Sequence, residues 1–436
     1  MTRNIDYDDY AGPIITLSKL SEFLKSKKVV QFRKEHREIR WPSLRKPEEY
    51  LEEIADIHLH GETNRRKIYE KGRTVWRAKD DYGLMPSVLV FKSGEEDNLK
   101  RQFIIEDFLY RQIAEVCDLD FVPFSMPVCF RAYEGGFIYV MKGGGNISLD
   151  KLLKGESLKT NEEPKKEVEM KINKALKNLA LLHGVLIRSF EGGGYRISGN
   201  VNGREIVYGI REFDYLMNFL ERGIVGSKLR DKKGNIIGTK REIQELIGIA
   251  LGGPVSPGTK SREYLRLGYN DRLPEFLRRY NEFAEANLSE TPFEAILHCD
   301  MYPTNVLDTG VIIDPKPLKR GNPMLDVSHF LIAPALSSLG SLEEQFLGEY
   351  LDNLQNFSAD VDNAKRQALK KSYRAHVLHN SLCLIGAMLA QRKTDDAQYF
   401  LGLAIETMGK MNLRDLRESF NQYIKNSKHR ELKAAL

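Results

Sequence analysis

Within ILHCDMYPTNVL, residues 296–307, three polar side chains interrupt an apolar, strand-like stretch: His298, Asp300 and Asn305. A fourth, Asp314, closes the run VIID at 311–314. Residues of these types at this spacing suit two purposes. They can form ordinary turns, because Asp and Asn side chains hydrogen-bond their own backbone. They can also carry phosphoryl transfer, which needs a carboxylate to orient an acceptor hydroxyl and take its proton. That chemistry further needs hard oxygen ligands for a divalent cation bridging the phosphates. On the second reading Asp300 is the base, Asn305 and Asp314 hold Mg2+ or Mn2+, and His298 braces the loop.

These residues need elements to hold them. DTG, residues 308–310, is a tight-turn signal between NVL and VIID, so a β-hairpin is expected directly after the loop. Around it, from about 147 to 436, the chain reads as amphipathic helices. MKINKALKNLALLHGV (170–185) is one of them, and its His183 is read as structural. HVLHNSLCLIGAMLAQ (376–391) is apolar enough to be a buried core helix but carries His, Asn and Ser. Residues 51–141 differ: short runs such as RTVWRA, SVLVFK and GGFIYVMK are strand-like and punctuated by glycine. One helix is inserted among them, with Leu99, Phe103, Ile104, Phe108, Ile113 and Val116 at helical spacing. The expected class is α+β: a small antiparallel sheet with one helix, then a large, mainly helical part.

The sheet region offers a nucleotide site. Lys92 ends the apolar run VLVF just before the helix, where an ammonium can hold phosphates. The helix should supply its carboxylate partner. Glu106 stands one helical step from the apolar face, with Glu95, Glu96 and Glu115 as rivals. Gly61 and Asn64, in HGETNRRKIY, lie in a turn whose N–H groups can face phosphate oxygens, although a plain hairpin turn fits as well. Val140, Met141 and Lys142 precede a run of glycines suited to a hinge and offer backbone groups to a base edge.

Bulk properties bound the reading. The chain has 436 residues, 42% hydrophobic and 29% charged, with a net charge of +5. This is a globular composition with material for more than one compact part, and it lacks the clustered basic stripe of a nucleic-acid binder. The four cysteines have no metal-ligand spacing, so a reduced, cytoplasmic protein is expected. No signal peptide or membrane span is read. Residues 1–50 are polar and mixed in charge, an N-terminal extension, partly helical or solvated.

LHCDMYPTNVL (297–307) followed by VIIDPKPLKRGNPMLDVSHFL (311–331) resembles the aminoglycoside phosphotransferase family, within the protein-kinase-like superfamily. The Asp-Pro-Lys-Pro wording is most similar to the streptomycin and hydroxyurea phosphotransferases. The resemblance implies a two-lobe kinase-like fold, with a nucleotide-binding lobe at 51–141 and a helical lobe at 142–436. It also implies that Asp326 braces the catalytic loop, that ATP or GTP is the donor, and that the acceptor binds a helical insertion at about 190–290. Two positions depart from the family's wording: Cys299 stands where Gly is usual, and Asn322 where an acid is usual. The interval from Asn305 to Asp314 is also short, so the hairpin must be tight.

The implied activity is transfer of a γ-phosphate to a hydroxyl or amine of a small metabolite or antibiotic. The basic stretch SKLRDKKGNIIGTKRE (227–242) suits a neutral or acidic acceptor better than a polycation, unless its lysines are simply a solvated face. Two alternatives stand beside this reading. One is an atypical protein kinase, against which no Asp-Phe-Gly or Ala-Pro-Glu segment follows Asp314. The other is a nucleotide-binding regulatory protein without turnover.

Overall fold

The computed structural model describes residues 65–70, 73–78, 89–94, 96–116, 127–133, 136–142, 148–154, 162–186, 190, 195–201, 204–223, 272–427 and 432. The expectations for residues 1–50, Gly61 and Asn64 lie outside them, as do the side chains of Lys92, Val140, Met141 and Lys142. The described residues are mostly helical, with small sheets, and the chain divides into two compact units. The first comprises Met1–Arg211, His298–Lys319 and Gly348–Ser358; the second comprises Glu212–Leu297, Arg320–Leu347 and Ala359–Leu436.

In the first unit, strands β1 (Arg65–Glu70), β2 (Arg73–Ala78), β3 (Leu89–Gly94), β4 (Pro127–Tyr133) and β5 (Gly136–Lys142) form one sheet in the order β1-β2-β3-β5-β4. Every neighbouring pair is antiparallel. The register sets Lys92 opposite Val75 on one side and Tyr139 on the other, so its backbone adjoins the 140–142 segment. Helix α1 (Glu96–Val116) follows β3. Its core face is Leu99, Ile104, Ile105, Leu109 and Ile113, all buried at helical spacing. Strand β4 was not foreseen: PVCFRAY alternates only loosely, and its pairing with β5 carries a register shift between Pro127 and Cys129.

After α2 (Leu149–Lys154) comes the long helix α3 (Glu162–Val185). His183, expected to be structural, is buried on α3 with its Nδ1 2.7 Å from the Tyr350 hydroxyl. The region 190–290 was expected to be helical. Among its described residues, Arg196–Val201 (β6) and Arg204–Gly209 (β7) form an antiparallel hairpin, while Tyr215–Arg222 and Leu273–Asn287 are helical. The register pairs Val201 with Arg204, and the intervening residues are Asn202-Gly203, the dipeptide favoured in two-residue hairpin loops. This hairpin packs on α1. A β-carbon at Gly199 would come within 3.0 Å of the Ile104 side chain, and the Arg101 guanidinium lies 5.5 Å from the Tyr208 ring centre.

The second unit is helical: α4 (Tyr215–Arg222), α5 (Leu273–Asn287), α6 (Met324–Leu331), the start of α7 (Glu343–Phe357), whose remainder from Gly348 belongs to the first unit, α8 (Asn363–Ala390), α9 (Thr394–Lys410) and α10 (Arg414–Asn426). Short strands β8 (Arg211–Glu212), β9 (Ala295–Leu297) and β10 (Lys319–Gly321) pair in the order β8-β10-β9. Helix α8 is the expected core helix, buried from Ala375 through Gly386. Asn380 spends its amide on the Leu325 carbonyl and Ser328 Oγ, each at 2.8 Å, tying α8 to α6. Asn322 accepts from Met324 N–H at 3.0 Å and donates to Ser372 Oγ at 3.1 Å. An amide can do both, whereas an ionised acid there has no donor. Asp326 is fully buried in the first turn of α6. Among the described residues no single helix is long and apolar enough to cross a membrane.

Helix α8 also carries a polar network. His376 Nε2 lies 2.9 Å from Tyr215 Oη, and its Nδ1 lies 2.8 Å from the Ser372 carbonyl. His379 contacts Tyr280 Oη at 2.6 Å and Asn218 Oδ1 at 3.2 Å. Cys383 sits 3.7 Å from His379 and 3.3 Å from Asn218 Oδ1. A Cys-His-Asn grouping suggests a nucleophile, but burial pushes the Cys383 thiol up to about 12, so it stays protonated and inert. Burial lowers His376 to about 4, and His379 is also held well below its usual range, so both rings are neutral. Unfolding exposes them to protonation near their ordinary value. Their stabilising contribution is therefore complete above about pH 6.5 and is lost as pH falls toward 4. For His376 alone, lowering pH from 7 to 5 should cost about 2 kcal/mol. Denaturant unfolding at the two pH values should show this loss, and His376→Gln should shrink it.

Candidate active site

The residues singled out by spacing meet in the first unit. From His298 the chain makes a short loop with a 3-10 turn at Pro303–Asn305. Tyr302 N–H donates to the Asp300 carbonyl at 2.9 Å, and Asn305 N–H donates to the Tyr302 carbonyl at 2.8 Å. The Asn305 amide closes the loop, giving its Nδ2 hydrogens to the Asp300 carbonyl at 2.8 Å and to Asp300 Oδ2 at 3.2 Å. With the nitrogen so committed, nothing among the described residues donates to Asn305 Oδ1.

The DTG turn follows. Leu307 N–H donates to the Val311 carbonyl at 2.9 Å, Gly310 N–H to Leu307 at 2.8 Å, and Ile313 N–H back to Asn305 at 2.9 Å. The hairpin is as tight as the short interval requires, held by an isolated bridge between Val306 and Ile312 rather than by full strands. Gly310 has φ 81, and a β-carbon there would meet Lys174 Cγ at 2.9 Å, so turn geometry and space both call for glycine. Helix α3 supports the turn through Asn178, whose Nδ2 donates to the Gly310 carbonyl at 2.7 Å.

His298 is fully buried, with both ring nitrogens engaged by backbone. Nδ1 accepts from Asp300 N–H at 3.3 Å, which leaves Nε2–H to donate to the Ile313 carbonyl at 3.1 Å. A ring so occupied is a brace between loop and hairpin rather than a proton acceptor for substrate. Asp314 lies one residue beyond Ile313, and Gln102 of α1 donates to its Oδ1 at 2.5 Å. The same Gln102 amide donates to Glu106 Oε1 at 2.9 Å. Glu106 is only 3% exposed. The helix carboxylate and the hairpin carboxylate are thus joined through one side chain. The side chains of the rivals Glu95, Glu96 and Glu115 lie outside the described residues.

Two participants escaped the spacing argument. Gln102 stands four residues before Glu106, so both sit on one helix face, but a buried Gln has no motif. Lys316 lies in the Asp-Pro-Lys-Pro run; its ammonium is 3.2 Å from Asp300 Oδ2, and its N–H donates to the His298 carbonyl at 3.1 Å.

Backbone conformation marks the same place. Four described non-glycine residues have positive φ: Cys299 (63), Asp314 (56), Arg392 (60) and Asn412 (57). Arg392 and Asn412 directly follow the last turns of α8 and α9, where left-handed residues ordinarily end helices. Cys299 and Asp314 have no such explanation, and they flank Asp300 and the hairpin. Asp314 also precedes Pro315, a position that disfavours helical conformations. Strained residues held by surrounding structure concentrate at working sites.

The arrangement fits a magnesium ion. Mg2+ is usually held by one or two protein oxygens together with substrate phosphates, not by a protein cage. Asn305 and Asp314 carry oxygen donors on chain positions that the Ile313 N–H to Asn305 carbonyl bond brings together at the end of the hairpin. Among the described residues no cluster of three His, Cys, Asp or Glu forms a closed metal cage.

No protein-family model matches the chain, and no curated protein matches it. Among solved structures it is similar to an ethanolamine kinase of Plasmodium vivax at 11% identity, covering 91% of this chain and 97% of that one, with a TM-score of 0.44. It is similar to an aminoglycoside-3'-phosphotransferase of type VIII at 12% identity, 75% and 98% coverage and a TM-score of 0.36. The GDP complex of aminoglycoside 2'-phosphotransferase-IIIa matches at 12% identity, 82% and 96% coverage and a TM-score of 0.38. At these values the likeness is too distant to argue from, and the chemistry of the site rests on its side chains.

Left-handed backbone at Cys299 costs a residue with a β-carbon about 1–2 kcal/mol. Cys299→Gly removes that cost while adding about 0.5–1 kcal/mol of unfolded-state entropy. The expected net is a small gain, up to about 1 kcal/mol, whereas the β-branched Cys299→Val should lose about 1–2 kcal/mol. Denaturant midpoints of the two variants against the parent chain measure both.

Proposed function

We propose that this protein is a small-molecule kinase with a protein-kinase-like arrangement, in which residues 51–141 hold the nucleotide and the loop from His298 to Asp314 carries the transfer. The observation that supports this most directly is the closed assembly of Asp300, Asn305 and Asp314 around His298, linked through Gln102 to Glu106. An ordinary turn has no need of a buried brace, two strained residues and a buried carboxylate delivered from a helix.

In the proposed reaction, Asp300 accepts a hydrogen bond from the acceptor hydroxyl and takes its proton as the oxygen attacks the γ-phosphorus of ATP or GTP. The new bond joins the acceptor oxygen to phosphorus. The bond broken joins that phosphorus to the β–γ bridging oxygen, and the nucleoside diphosphate leaves. Asn305 and Asp314 are the residues that would hold Mg2+, which when bound offsets charge on the phosphates. Gln102 keeps Asp314 in place for this. Lys92 and Glu106 are proposed as the phosphate-holding pair, with Gly61 and Asn64 near the phosphates and Val140 to Lys142 beside the base. Asp326 is proposed as a brace. The acceptor is proposed to be a hydroxyl, or an amine, of a small metabolite or antibiotic, bound by the 190–290 segment.

The test is phosphate transfer by purified protein with ATP or GTP across a panel of small alcohols, sugars and amines. Asp300→Ala should lower turnover about 10²–10⁴-fold with little change in nucleotide binding. Intact turnover in that variant would remove Asp300 from the mechanism. Asp314→Ala should abolish the extra melting stabilisation that nucleotide gives when Mg2+ is present.

A further inference from the structure

We propose that Lys316 is a positioning residue for Asp300, an inference that rests on the phosphoryl-transfer reading of the site. Lys316 Nζ and Asn305 Nδ2 converge on the same carboxylate oxygen, Asp300 Oδ2, each at 3.2 Å. Two donors on one oxygen fix the rotation of the carboxylate plane, which a single contact leaves loose. The ammonium also starts from a fixed base. The Lys316 N–H is bonded to the His298 carbonyl at 3.1 Å, and Pro315 and Pro317 on either side restrict the chain.

An ion pair of this exposure is ordinarily worth little, since Lys316 is 44% and Asp300 26% exposed. Its placement sets it apart. Many described ion pairs link residues three or four apart along exposed helices, such as Arg278 with Glu275 and Lys410 with Glu406. Lys316 instead reaches back across the hairpin to the residue assigned as base. The first unit gathers three carboxylates here, Glu106, Asp300 and Asp314, and a polyphosphate would add more negative charge. A cation held against Asp300 Oδ2 keeps the carboxylate aimed while the anionic nucleotide occupies the site. The function of Lys316 is therefore in the transfer step and not in nucleotide affinity.

The experiment compares Lys316→Met, Lys316→Arg and Lys316→Ala with the parent protein, using an acceptor found in the panel. Lys316→Met should lower kcat about 10–100-fold, the scale of a misplaced catalytic group. KM for nucleotide and the melting temperature should stay within error. Lys316→Arg, which keeps the charge, should recover most of the rate. Added ethylammonium should restore part of the lost rate in Lys316→Ala, because a small cation can occupy the vacated place. A merely structural lysine would show neither rescue. Lys316→Met turnover within twofold of the parent, or equal losses in all three variants without rescue, would overturn the proposal while leaving the kinase reading intact. If the parent protein transfers phosphate to no acceptor, both readings fall together.

Discussion

The candidate site depends on one buried imidazole. His298 takes a hydrogen bond from the Asp300 N–H on one ring nitrogen and gives one to the Ile313 carbonyl on the other. A buried ring with either nitrogen unmet would carry a desolvation cost of about 1–3 kcal/mol, so the two contacts are strongly preferred together. That pairing fixes the spacing between the loop and the far end of the hairpin. Asp300 is held by this ring through its own N–H, Asp314 lies one position beyond the ring-held Ile313, and Asn305 closes the circuit through Ile313 N–H and Asp300. The positions of the two carboxylates are thus one geometric decision.

The backbone supports the same conclusion from a different direction. Left-handed residues at Cys299 and Asp314 let the chain enter the loop and leave the hairpin by sharp reversals. Their cost is met by the dense bonding between them. Glycine at the first of these positions would make the turn easier, so the position of Cys299 is one of conformation before it is one of chemistry. Neither Cys299 nor the buried, protonated Cys383 has a role in the proposed reaction.

Much of the site was legible because its parts lie close in sequence. The intervals His298 to Asp300, Asn305 and Asp314 are set by a loop and a two-armed turn, and local geometry of that kind leaves a trace in spacing. Helical periodicity placed Glu106 beside the apolar face, where the structure has it buried against Gln102, while its expected pairing with Lys92 lies outside the described residues. Gln102 was not legible, because its purpose is a contact with Asp314 across more than two hundred positions, and nothing local demands it. Lys316 was hidden in a motif whose wording was noted but whose lysine had no assigned task. The β6–β7 hairpin was overlooked although Asn202-Gly203 stood between alternating runs, because the surrounding chain read as helical. Strand β4 was lost to its irregular alternation. The buried histidines of α8 were visible as residues, but their neutral state follows only from their enclosure.

Helix α1 shows what the β6–β7 hairpin adds. Its polar face holds Gln102 against Asp314 and Glu106, while Ile104 lies against Gly199 and Arg101 over Tyr208. Advancing the helix by a single residue would turn it by about 100°. That turn would pull Gln102 off Asp314 and break the fit at Gly199 together. The helix is keyed at two points around its circumference, like a shaft seated in two slots, so its rotational setting is shared between the hairpin that bears Asp314 and a second hairpin that lies outside the catalytic loop.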